Sequence, residues 1–295
     1  MPNFSIQEIF TEKAPTVTII DVGAMLEGKN RFDGLLEKGL ARVIGFEPDP
    51  TEYQKLKPRE DERHAFLPYF VGNGKPAVFH RCRYNGCSSL YRPNRKLLDL
   101  FTSLGDPANG FFEVLSTSDV MTVRLDDIEE AKNCDFLKVD VQGAELDVLK
   151  GASRTLGHAA VVELEVEFVP LYEGQPLFAE IDSYMRSQGF LLHKFADLAG
   201  RAMQPFVVDS NPFKPMSQVL WANAVYVKDF TSFEHYSSDI LLKTAIVLHE
   251  AYASLDMAAF ALKAYDAGQG THLNECYMAK IFSTAQAECS FLNIM

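Results

Sequence analysis

The sequence predicts an α/β fold: a Rossmann-like, mostly parallel sheet with helices on both faces, followed by a C-terminal helical appendage. Short apolar strands alternate with helices from residue 17 onward, and repeated strand–helix units form parallel sheets that are covered on both faces. Several of these strands end in a carboxylate or a glycine. Beyond residue 230 the strands stop, and alanine- and leucine-rich segments with helical spacing take their place.

The composition is that of a globular protein of ordinary size. Of the 295 residues, 47% are hydrophobic and 23% are charged, which is enough for one large core. The formal net charge of -12 argues against a nucleic-acid partner, since phosphate binding depends on clustered lysine and arginine. No segment resembles a membrane span or a signal peptide. The five cysteines form no CxxC pair, which predicts reduced thiols and a cytoplasmic location.

The first part of the chain is predicted to hold three strands and two helices. The β-branched run VTIIDVGA (17–24) is typical of a buried parallel strand that leaves into a loop. Apolar residues recur at helical spacing over 31–40, and the strand RVIGFEPDP (42–50) ends at two prolines. A helix over 51–57 and the strand HAFLPYFVG (64–72) complete this part.

Residues 73–134 interrupt the alternation. Turn signals of the Asn-Gly, Arg-Pro and Asp-Pro types divide this stretch into short strands and loops, so it is predicted to be an insertion over the sheet edge. Near its end, Asp126 or Asp127 is expected to cap a short helix. We expect a Rossmann-like domain over 1–230, in which this insertion covers the acceptor of the reaction, and the appendage over 231–295.

The alternation resumes at residue 136 and runs to residue 230. The last two strands are expected to form a pair, for which we consider an antiparallel arrangement. In order, the predicted elements are the strand FLKVDV (136–141), the helix GAELDVLKGA (143–152), the strand AAVVELEVE (159–167), the helix AEIDSYMRSQGF (179–190), and the strands LLHKFAD (191–197) and NAVYVKDF (223–230).

The appendage is predicted to contain three helices, over 237–252, 254–265 and 272–292, with Ser238 at the start of the first. Seven of the nine residues in ILLKTAIVL (240–248) are apolar, which is too many for one stripe on a solvent-facing helix. This helix must therefore be covered on more than one side. Formation of a homo-oligomer through these helices is one expectation, and burial within the chain is the alternative.

The ends of the predicted strands carry the candidate chemistry, because ligands of an open parallel sheet bind beyond the carboxyl ends of its strands. Glu47 follows Asp21 by 26 residues and is placed to accept hydrogen bonds from the two hydroxyls of a ribose. The strand ends read Asp21-Val22-Gly23-Ala24, Phe46-Glu47-Pro48-Asp49, Val71-Gly72-Asn73, Asp140-Val141-Gln142-Gly143 and Glu163-Leu164-Glu165.

The first of these loops distinguishes between two classes of cofactor, both of which have a ribose that an acidic residue binds at the end of the second strand. DVGAMLEGKN (21–30) lacks the G-x-G-x-x-G spacing that packs a pyrophosphate against a helix N-terminus. S-adenosylmethionine has no phosphate. Its binding requires a close approach to the backbone, which Gly23 allows, and an acidic side chain near its ammonium group, which Asp21 provides. The loop therefore favours S-adenosylmethionine over a nicotinamide cofactor.

Four motifs follow one another between about residues 17 and 230: IIDVGA, VIGFEPDP, DFLKVDVQGAELDVLKGA and VVELEVEFVPLYEG. In sequence and order they resemble the FkbM-type methyltransferases. The resemblance implies an S-adenosylmethionine-dependent enzyme on a Rossmann-like sheet, usually one that methylates a hydroxyl oxygen. The chain departs from the family pattern at Met25, where an asparagine is usual, and at Gln142, where a glutamate is usual. The segment SSLY (88–91) resembles a serine pair common in the family.

These observations predict an O-methyltransferase that acts on a glycan or another small hydroxylated metabolite. A catalytically impaired cofactor-binding or interaction protein of the same fold is the alternative, and a nicotinamide-dependent oxidoreductase is a weaker one. Cofactor contacts are expected from Asp21, Gly23, Ala24, Met25, Glu47, Pro48, Gly72, Asp140 and Val141, acceptor contacts from Ser88, Ser89, Tyr91 and Gln142, and catalysis from Asp140 and Glu165.

Removal of the hydroxyl proton requires a base near the transferred methyl group. Asp140 and Glu165 end consecutive strands, so either is a candidate, and His80 and His193 are alternatives. A divalent metal between the two carboxylates is a further alternative, because hard cations bind oxygen ligands. No third ligand stands out in the sequence, so metal-free catalysis is expected.

Overall fold

The structure is a computed structural model, and it describes residues 4–26, 28–105 and 110–287. The strands in these ranges are β1 (Val17–Val22), β2 (Ala41–Phe46), β3 (His64–Leu67), β4 (Pro76–Cys82), β5 (Val114–Met121), β6 (Phe136–Val139), β7 (Val161–Glu167), β8 (Phe190–Gly200) and β9 (Val219–Lys228). The α-helices are α1 (Asp33–Glu37), α2 (Pro50–Leu56), α3 (Arg95–Leu98), α4 (Glu145–Lys150), α5 (Ser153–His158), α6 (Phe178–Ser187), α7 (Ser238–Tyr252), α8 (Leu255–Gln269) and α9 (Leu273–Ala287).

Seven strands form one sheet in the order β3-β2-β1-β6-β7-β9-β8. The first five in this order run parallel, whereas β9 is antiparallel to both β7 and β8. Every residue of β1 is buried, as expected for a central parallel strand with helices on both faces. The prediction of a mostly parallel sheet is confirmed. The order departs from the dinucleotide-binding order 3-2-1-4-5-6, because β9 lies between β7 and β8.

Two large hydrophobic cores cover the two faces of the sheet. Helices α1 and α7 contribute Leu35, Leu36, Leu241 and Ala245 to one core. Helices α4, α5 and α6 pack in the other core, together with the opposite side chains of β1, β6 and β7. The layered arrangement leaves the carboxyl ends of the parallel strands as the open edge of the molecule.

Helix α7 is covered from within the chain. Its residues from Thr244 to Tyr252 are all buried, and the apolar ones among them belong to the same core as β1 and α1. Lys243 forms an ion pair of 2.9 Å with Asp135, just before β6, and the Tyr252 hydroxyl donates to Glu163 of β7. This packing accounts for the excess of apolar residues over 240–248. Oligomer formation and the domain division at residue 230 stay predictions.

The segment 73–134 builds a separate layer beside the strand ends. Strands β4 and β5 pair with each other in an antiparallel sheet of two strands. A third core, which includes Phe101 and Phe112, joins this segment to Tyr172 and Leu220 of the main domain. Asp126 accepts hydrogen bonds from the backbone N–H groups of Arg154 and Thr155, so it caps α5, which begins 27 residues later in the chain.

Some elements are shorter than their sequence patterns predict. The helix expected over 31–40 is limited to Asp33–Glu37. The strand expected over 64–72 ends at Leu67, before Pro68, which has no N–H to donate to a sheet. Helix α7 begins at Ser238 as expected, with Ser237 as its cap. Among the described residues, no helix is both long and apolar enough to cross a membrane.

Candidate active site

A cavity of about 710 Å³ lies beyond the carboxyl ends of β1, β2, β6 and β7. Most of the predicted strand-end residues and part of the insertion therefore line one cavity. The predicted residues in its lining are Gly23, Met25, Glu47, Pro48, Ser88, Ser89, Asp140, Val141, Gln142 and Glu165. The predicted residues outside the lining are Asp21, Ala24, Gly72 and Tyr91.

At Gly23 the loop after β1 lies directly against the backbone at the end of β6. The φ of this glycine is +86°, and a Cβ atom built there would lie 1.9 Å from the carbonyl oxygen of Asp140. Only glycine fits such a contact and such a backbone conformation. The N–H groups of Gly23 and Ala24 both donate to the carbonyl of Phe46 at 3.0 Å, which ties this loop to the end of β2.

Glu47 is a buried carboxyl group at the end of β2. Its Oε1 accepts a hydrogen bond of 2.7 Å from the backbone N–H of Asp49. Burial raises the pKa of Glu47 to about 8, and the neighbouring carboxylates of Asp49, Glu52 and Asp21 add to the rise. The group thus faces the cavity largely protonated at neutral pH.

Asp49 explains the second acid of the FEPDP motif. Its Oδ1 accepts from the N–H groups of Thr51 and Glu52 at 2.8 and 3.2 Å, so it is the N-cap of α2, and Pro50 is the first residue of that helix. Arg81 of β4 forms an ion pair of 3.0 Å with the other oxygen of Asp49. Asp49 is a structural residue that connects the insertion to the main sheet.

Lys138 is a functional candidate that the sequence reasoning missed. It lies in β6 directly beside Asp21 of β1, and its Nζ is 2.9 Å from Asp21 Oδ1. Burial alone would lower the pKa of Lys138, but Asp21 and Asp140 outweigh it and raise the pKa. Lys138 lines the cavity while Asp21 lies behind it. A lysine inside the apolar run FLKVDV is the signal in the sequence that points to it.

The turn after β6 holds three carboxylates together. One oxygen from each of Asp140, Glu145 and Glu165 lies within 4.8 Å of the others. The side-chain nitrogen of Gln142 donates to Asp140 Oδ1 at 2.8 Å and to Glu165 Oε2 at 2.5 Å. Gln142 has a φ of +57°, a conformation that is uncommon for a residue with a Cβ and that recurs at functional sites.

Glu145 shapes this turn from inside the protein. Its Oε1 accepts hydrogen bonds from the N–H groups of Val141 and Gly143 at 2.8 and 3.2 Å. The residue is 0% exposed, so it is more than a solvent-facing acid in the first turn of α4. Burial raises the pKa of Glu145 to about 7, and burial with the charge of Asp140 raises the pKa of Glu165 well above its usual value.

Ser88 and Ser89 line the cavity and also complete turns. Ser89 Oγ donates to the carbonyl of Gln142 at 2.6 Å and accepts from the N–H of Tyr91 at 2.9 Å. Ser88 Oγ accepts from the N–H of Cys82 at 2.9 Å. The Tyr91 hydroxyl donates to Asp147 at 2.9 Å and lies outside the lining. The SSLY segment therefore fixes the loop against the Asp140 turn.

Aromatic side chains form much of the remaining wall. The insertion supplies several of them, and the hairpin between β8 and β9 supplies Phe213 and Trp221. The guanidinium of Arg201 lies 4.9 Å from the centre of the Trp221 ring and 5.8 Å from that of Phe213. The full set of aromatic lining residues is Phe46, Tyr69, Phe70, Phe79, Tyr84, Phe111, Phe112, Phe213 and Trp221.

The two histidines considered as bases do not line the cavity. His193 lies on β8, and its Nε2 is 2.8 Å from the hydroxyl of Ser254 at the start of α8. His80 lies on β4, where its backbone pairs with Ser89. Asp140 and Glu165 remain the candidate bases that border the cavity.

Two comparisons with known proteins bear on this site. The family model described as "Methyltransferase FkbM domain" matches residues 21–192, a range that includes each strand end around the cavity. The chain belongs to the FkbM methyltransferase family. A curated relative, the 2-O-methyltransferase NoeI of Sinorhizobium fredii, is 31% identical over 181 residues, which are 57% of this chain and 71% of the relative.

Solved structures of other methyltransferases are more distant from this FkbM methyltransferase. M. jannaschii TYW2 in complex with AdoMet is 12% identical, with a TM-score of 0.30, over 75% of this chain and 71% of that chain. A 30S ribosomal A1408 methyltransferase from an uncultured bacterium is 10% identical, with a TM-score of 0.28, over 73% of this chain and 89% of that chain. The family assignment rests on the sequence matches.

Proposed function

We propose that this FkbM methyltransferase uses S-adenosylmethionine to methylate a hydroxyl oxygen of a glycan or another small hydroxylated metabolite. The observation that carries the proposal is the convergence of Glu47, Gly23 and Asp140, from three different strands, on one cavity. An open parallel sheet binds its ligand at such a place. The name of the relative NoeI, a 2-O-methyltransferase, supports oxygen as the atom that is methylated.

The residues present fit S-adenosylmethionine. Glu47 lines the cavity and can accept hydrogen bonds from ribose hydroxyls. Because Gly23 has no side chain, the ligand can contact the backbone there directly. Lys138 lines the cavity and supplies a cation for the carboxylate end of the methionine portion, and Asp21 holds Lys138 from behind through their ion pair. When bound, the cofactor supplies a methyl carbon that its sulfonium has already activated.

The chain's own task is then to orient the acceptor and to remove one proton. Asp140 is the proposed base, because its backbone directly contacts Gly23 and its side chain borders the cavity. The side-chain amide of Gln142 lies within hydrogen-bonding distance of both Asp140 and Glu165, so it helps to fix the positions of the two carboxyl groups at the cavity wall. Alignment and general base catalysis together account for large rate accelerations in transfer reactions of this kind.

The walls of the cavity support a small acceptor with both polar and apolar surfaces. The aromatic rings offer broad apolar contacts, while Arg201 offers hydrogen-bond donors. A carbohydrate ring, with apolar faces and a hydroxyl rim, matches this mixture.

Calorimetry with S-adenosylhomocysteine and with NAD tests the proposal. We expect S-adenosylhomocysteine to bind the protein and NAD to show no binding. Methyl transfer is then measured with radiolabelled S-adenosylmethionine and a panel of sugars and glycosides. Binding of NAD without binding of S-adenosylhomocysteine would contradict the proposal. Binding without transfer to any hydroxylated acceptor would favour the catalytically impaired alternative.

A further inference from the structure

Asp140, Glu145 and Glu165 lie close together beside the turn after β6, whereas Lys138, whose charge also acts on Asp140, pairs directly with Asp21. Among the described residues, no lysine, arginine or histidine forms an ion pair with Asp140, Glu145 or Glu165. We propose that these three residues bind a divalent cation that prefers oxygen ligands, such as Mg²⁺, Mn²⁺ or Ca²⁺. The sequence points to Asp140 and Glu165 without a third ligand, and the structure supplies that ligand in Glu145. The role of the cation in methyl transfer rests on the proposed function, whereas its binding does not.

The spacing of the three oxygens suits such an ion. They all lie within 4.8 Å of one another. Oxygen ligands stand about 2.0–2.6 Å from Mg²⁺ or Ca²⁺, so ligands on opposite sides of the ion are about 4–5 Å apart. Separations of up to 4.8 Å match the span of Ca²⁺ ligands, whereas Mg²⁺ requires the side chains to bring their oxygens to within about 4.2 Å of one another.

A buried oxygen with no partner provides the second observation. Glu145 is 0% exposed, its Oε1 is used by the Val141–Gly143 turn, and its Oε2 has no hydrogen-bond partner in the described part of the protein. Buried polar groups are normally paired, and an unpaired buried carboxylate is costly. A cation among Asp140, Glu145 and Glu165 satisfies this group.

The hydrogen bonds around Gln142 also favour a cation at this site. The Tyr172 hydroxyl lies 3.0 Å from both the carbonyl of Cys87 and the side-chain oxygen of Gln142, yet it has one proton to donate. If the amide turns by 180°, its nitrogen donates to Tyr172, and Tyr172 donates to Cys87, so both bonds are satisfied. The amide oxygen then lies between Asp140 and Glu165, where it becomes a fourth oxygen ligand.

The location of this cluster gives the cation a role. Asp140, Gln142 and Glu165 line the cavity, whereas Glu145 lies beneath them. The coordination positions that the protein leaves free therefore face the acceptor. A hydroxyl oxygen bound there would lose its proton more readily, because a bound cation lowers the pKa of its oxygen ligands. An acceptor with a second oxygen beside the reacting hydroxyl would bind the ion through both.

Titration of the full-length, chelator-treated protein with MnCl₂, followed by calorimetry and by Mn²⁺ electron paramagnetic resonance, tests the inference without any cofactor. We expect one Mn²⁺ site, weakened at least about tenfold in Glu145→Gln and in Glu165→Gln. Glu173→Gln, at an exposed position, is the matched control and should bind as the unaltered protein does. Circular dichroism checks that each variant folds, and Glu165→Gln keeps the hydrogen bonds from the backbone N–H groups of Val141 and Gly143 to Glu145.

Two results would overturn the inference. One is the absence of Mn²⁺ binding at millimolar concentration, in which case shared protons neutralise the carboxylates. The other is binding that neither Glu145→Gln nor Glu165→Gln weakens. Calorimetry with S-adenosylhomocysteine in the presence of EDTA keeps the two proposals separate. If the cofactor product binds while Mn²⁺ does not, the cation site fails and the proposed function survives. If Mn²⁺ binds while the cofactor product does not, the proposed function fails and the cation site survives.

Discussion

The two halves of the cavity are built in different ways. The strand-end half consists of Gly23, Glu47 and Asp140, which directly follow β1, β2 and β6, and Glu165, which lies near the end of β7. The aromatic half comes mostly from the insertion and from the β8–β9 hairpin, which meet only in the folded protein, and Phe46, Tyr69 and Phe70 complete it. The sheet register fixes the first half, whereas loop packing fixes the second. The contrast separates the part expected to perform the chemistry from the part expected to select the acceptor.

Asp140→Asn should have the largest effect if the strand-end half performs the chemistry. The amide keeps the shape of the side chain but cannot accept the proton, so we expect kcat to fall by about 10²-fold or more. The affinity for S-adenosylhomocysteine should change by less than about threefold. Steady-state kinetics and calorimetry provide the two measurements. A variant with normal kcat would remove Asp140 from the chemical step.

Glu47→Ala should weaken binding of S-adenosylhomocysteine by at least about tenfold. Hydrogen bonds to a charged group contribute about 1.5–3 kcal/mol, and the substitution removes both acceptor oxygens. Calorimetry at pH 8.5 is the appropriate measurement, since Glu47 is largely ionised there. Glu62→Ala, at an exposed position, serves as the control. Equal affinity in the two variants would place the ribose away from Glu47.

The affinity for S-adenosylhomocysteine should also depend on pH through Glu47. Its raised pKa, about 8 in the cofactor-free protein, means that the proton is retained until that pH. If ribose hydroxyls favour the ionised carboxylate, binding releases this proton, so affinity is lowest at low pH. We expect a rise of about fivefold between pH 7 and pH 8.

Glu47→Gln provides the reference for that rise, because its side chain does not titrate. The difference between the two pH profiles isolates Glu47 from every other group that titrates in this range, including Glu145. Identical profiles for the two proteins would mean that Glu47 keeps its protonation state when the ligand binds.

Phe213→Leu should have the smallest effect, and this effect should be limited to binding of the acceptor. The substitution keeps an apolar side chain at the rim but removes a ring face, which is worth about 0.5–1.5 kcal/mol in aromatic contacts. We expect the KM for the acceptor to rise about threefold while the affinity for S-adenosylhomocysteine stays the same. A change in cofactor affinity alone would show that the two halves are not separable.

The difference between the halves also explains what the sequence could predict. Gly23, Glu47 and Asp140 could be predicted because each stands at a fixed place after an apolar strand, and parallel strands end at a common edge. Glu145 is recognisable in the sequence as an acid in a first helical turn, but its complete burial depends on packing that no local pattern encodes. Lys138 could not be recognised as the partner of Asp21 without the register of β6 against β1.

The aromatic half has no comparable signal in the sequence. Trp221 and Phe79 are separated by more than a hundred residues, and only the packing of the insertion against the β8–β9 hairpin brings them to one cavity. The coverage of α7 could likewise not be predicted from its own residues. Its many apolar side chains must be buried on several sides of the helix, and either a second chain or the sheet could cover them.

The packing of α7 has a consequence for the order in which the protein can fold. Glu250 accepts hydrogen bonds from Ser5 and from the N–H of Ile6, and it also pairs with Lys38, so residues separated by 245 positions meet in one core. Contacts of such long range form slowly, because a large loop must close before they contribute. On the ribosome, the face of the sheet that α7 covers stays exposed until residues 238–252 have emerged. A nascent chain from which α7 has not yet emerged therefore exposes apolar surface that promotes aggregation.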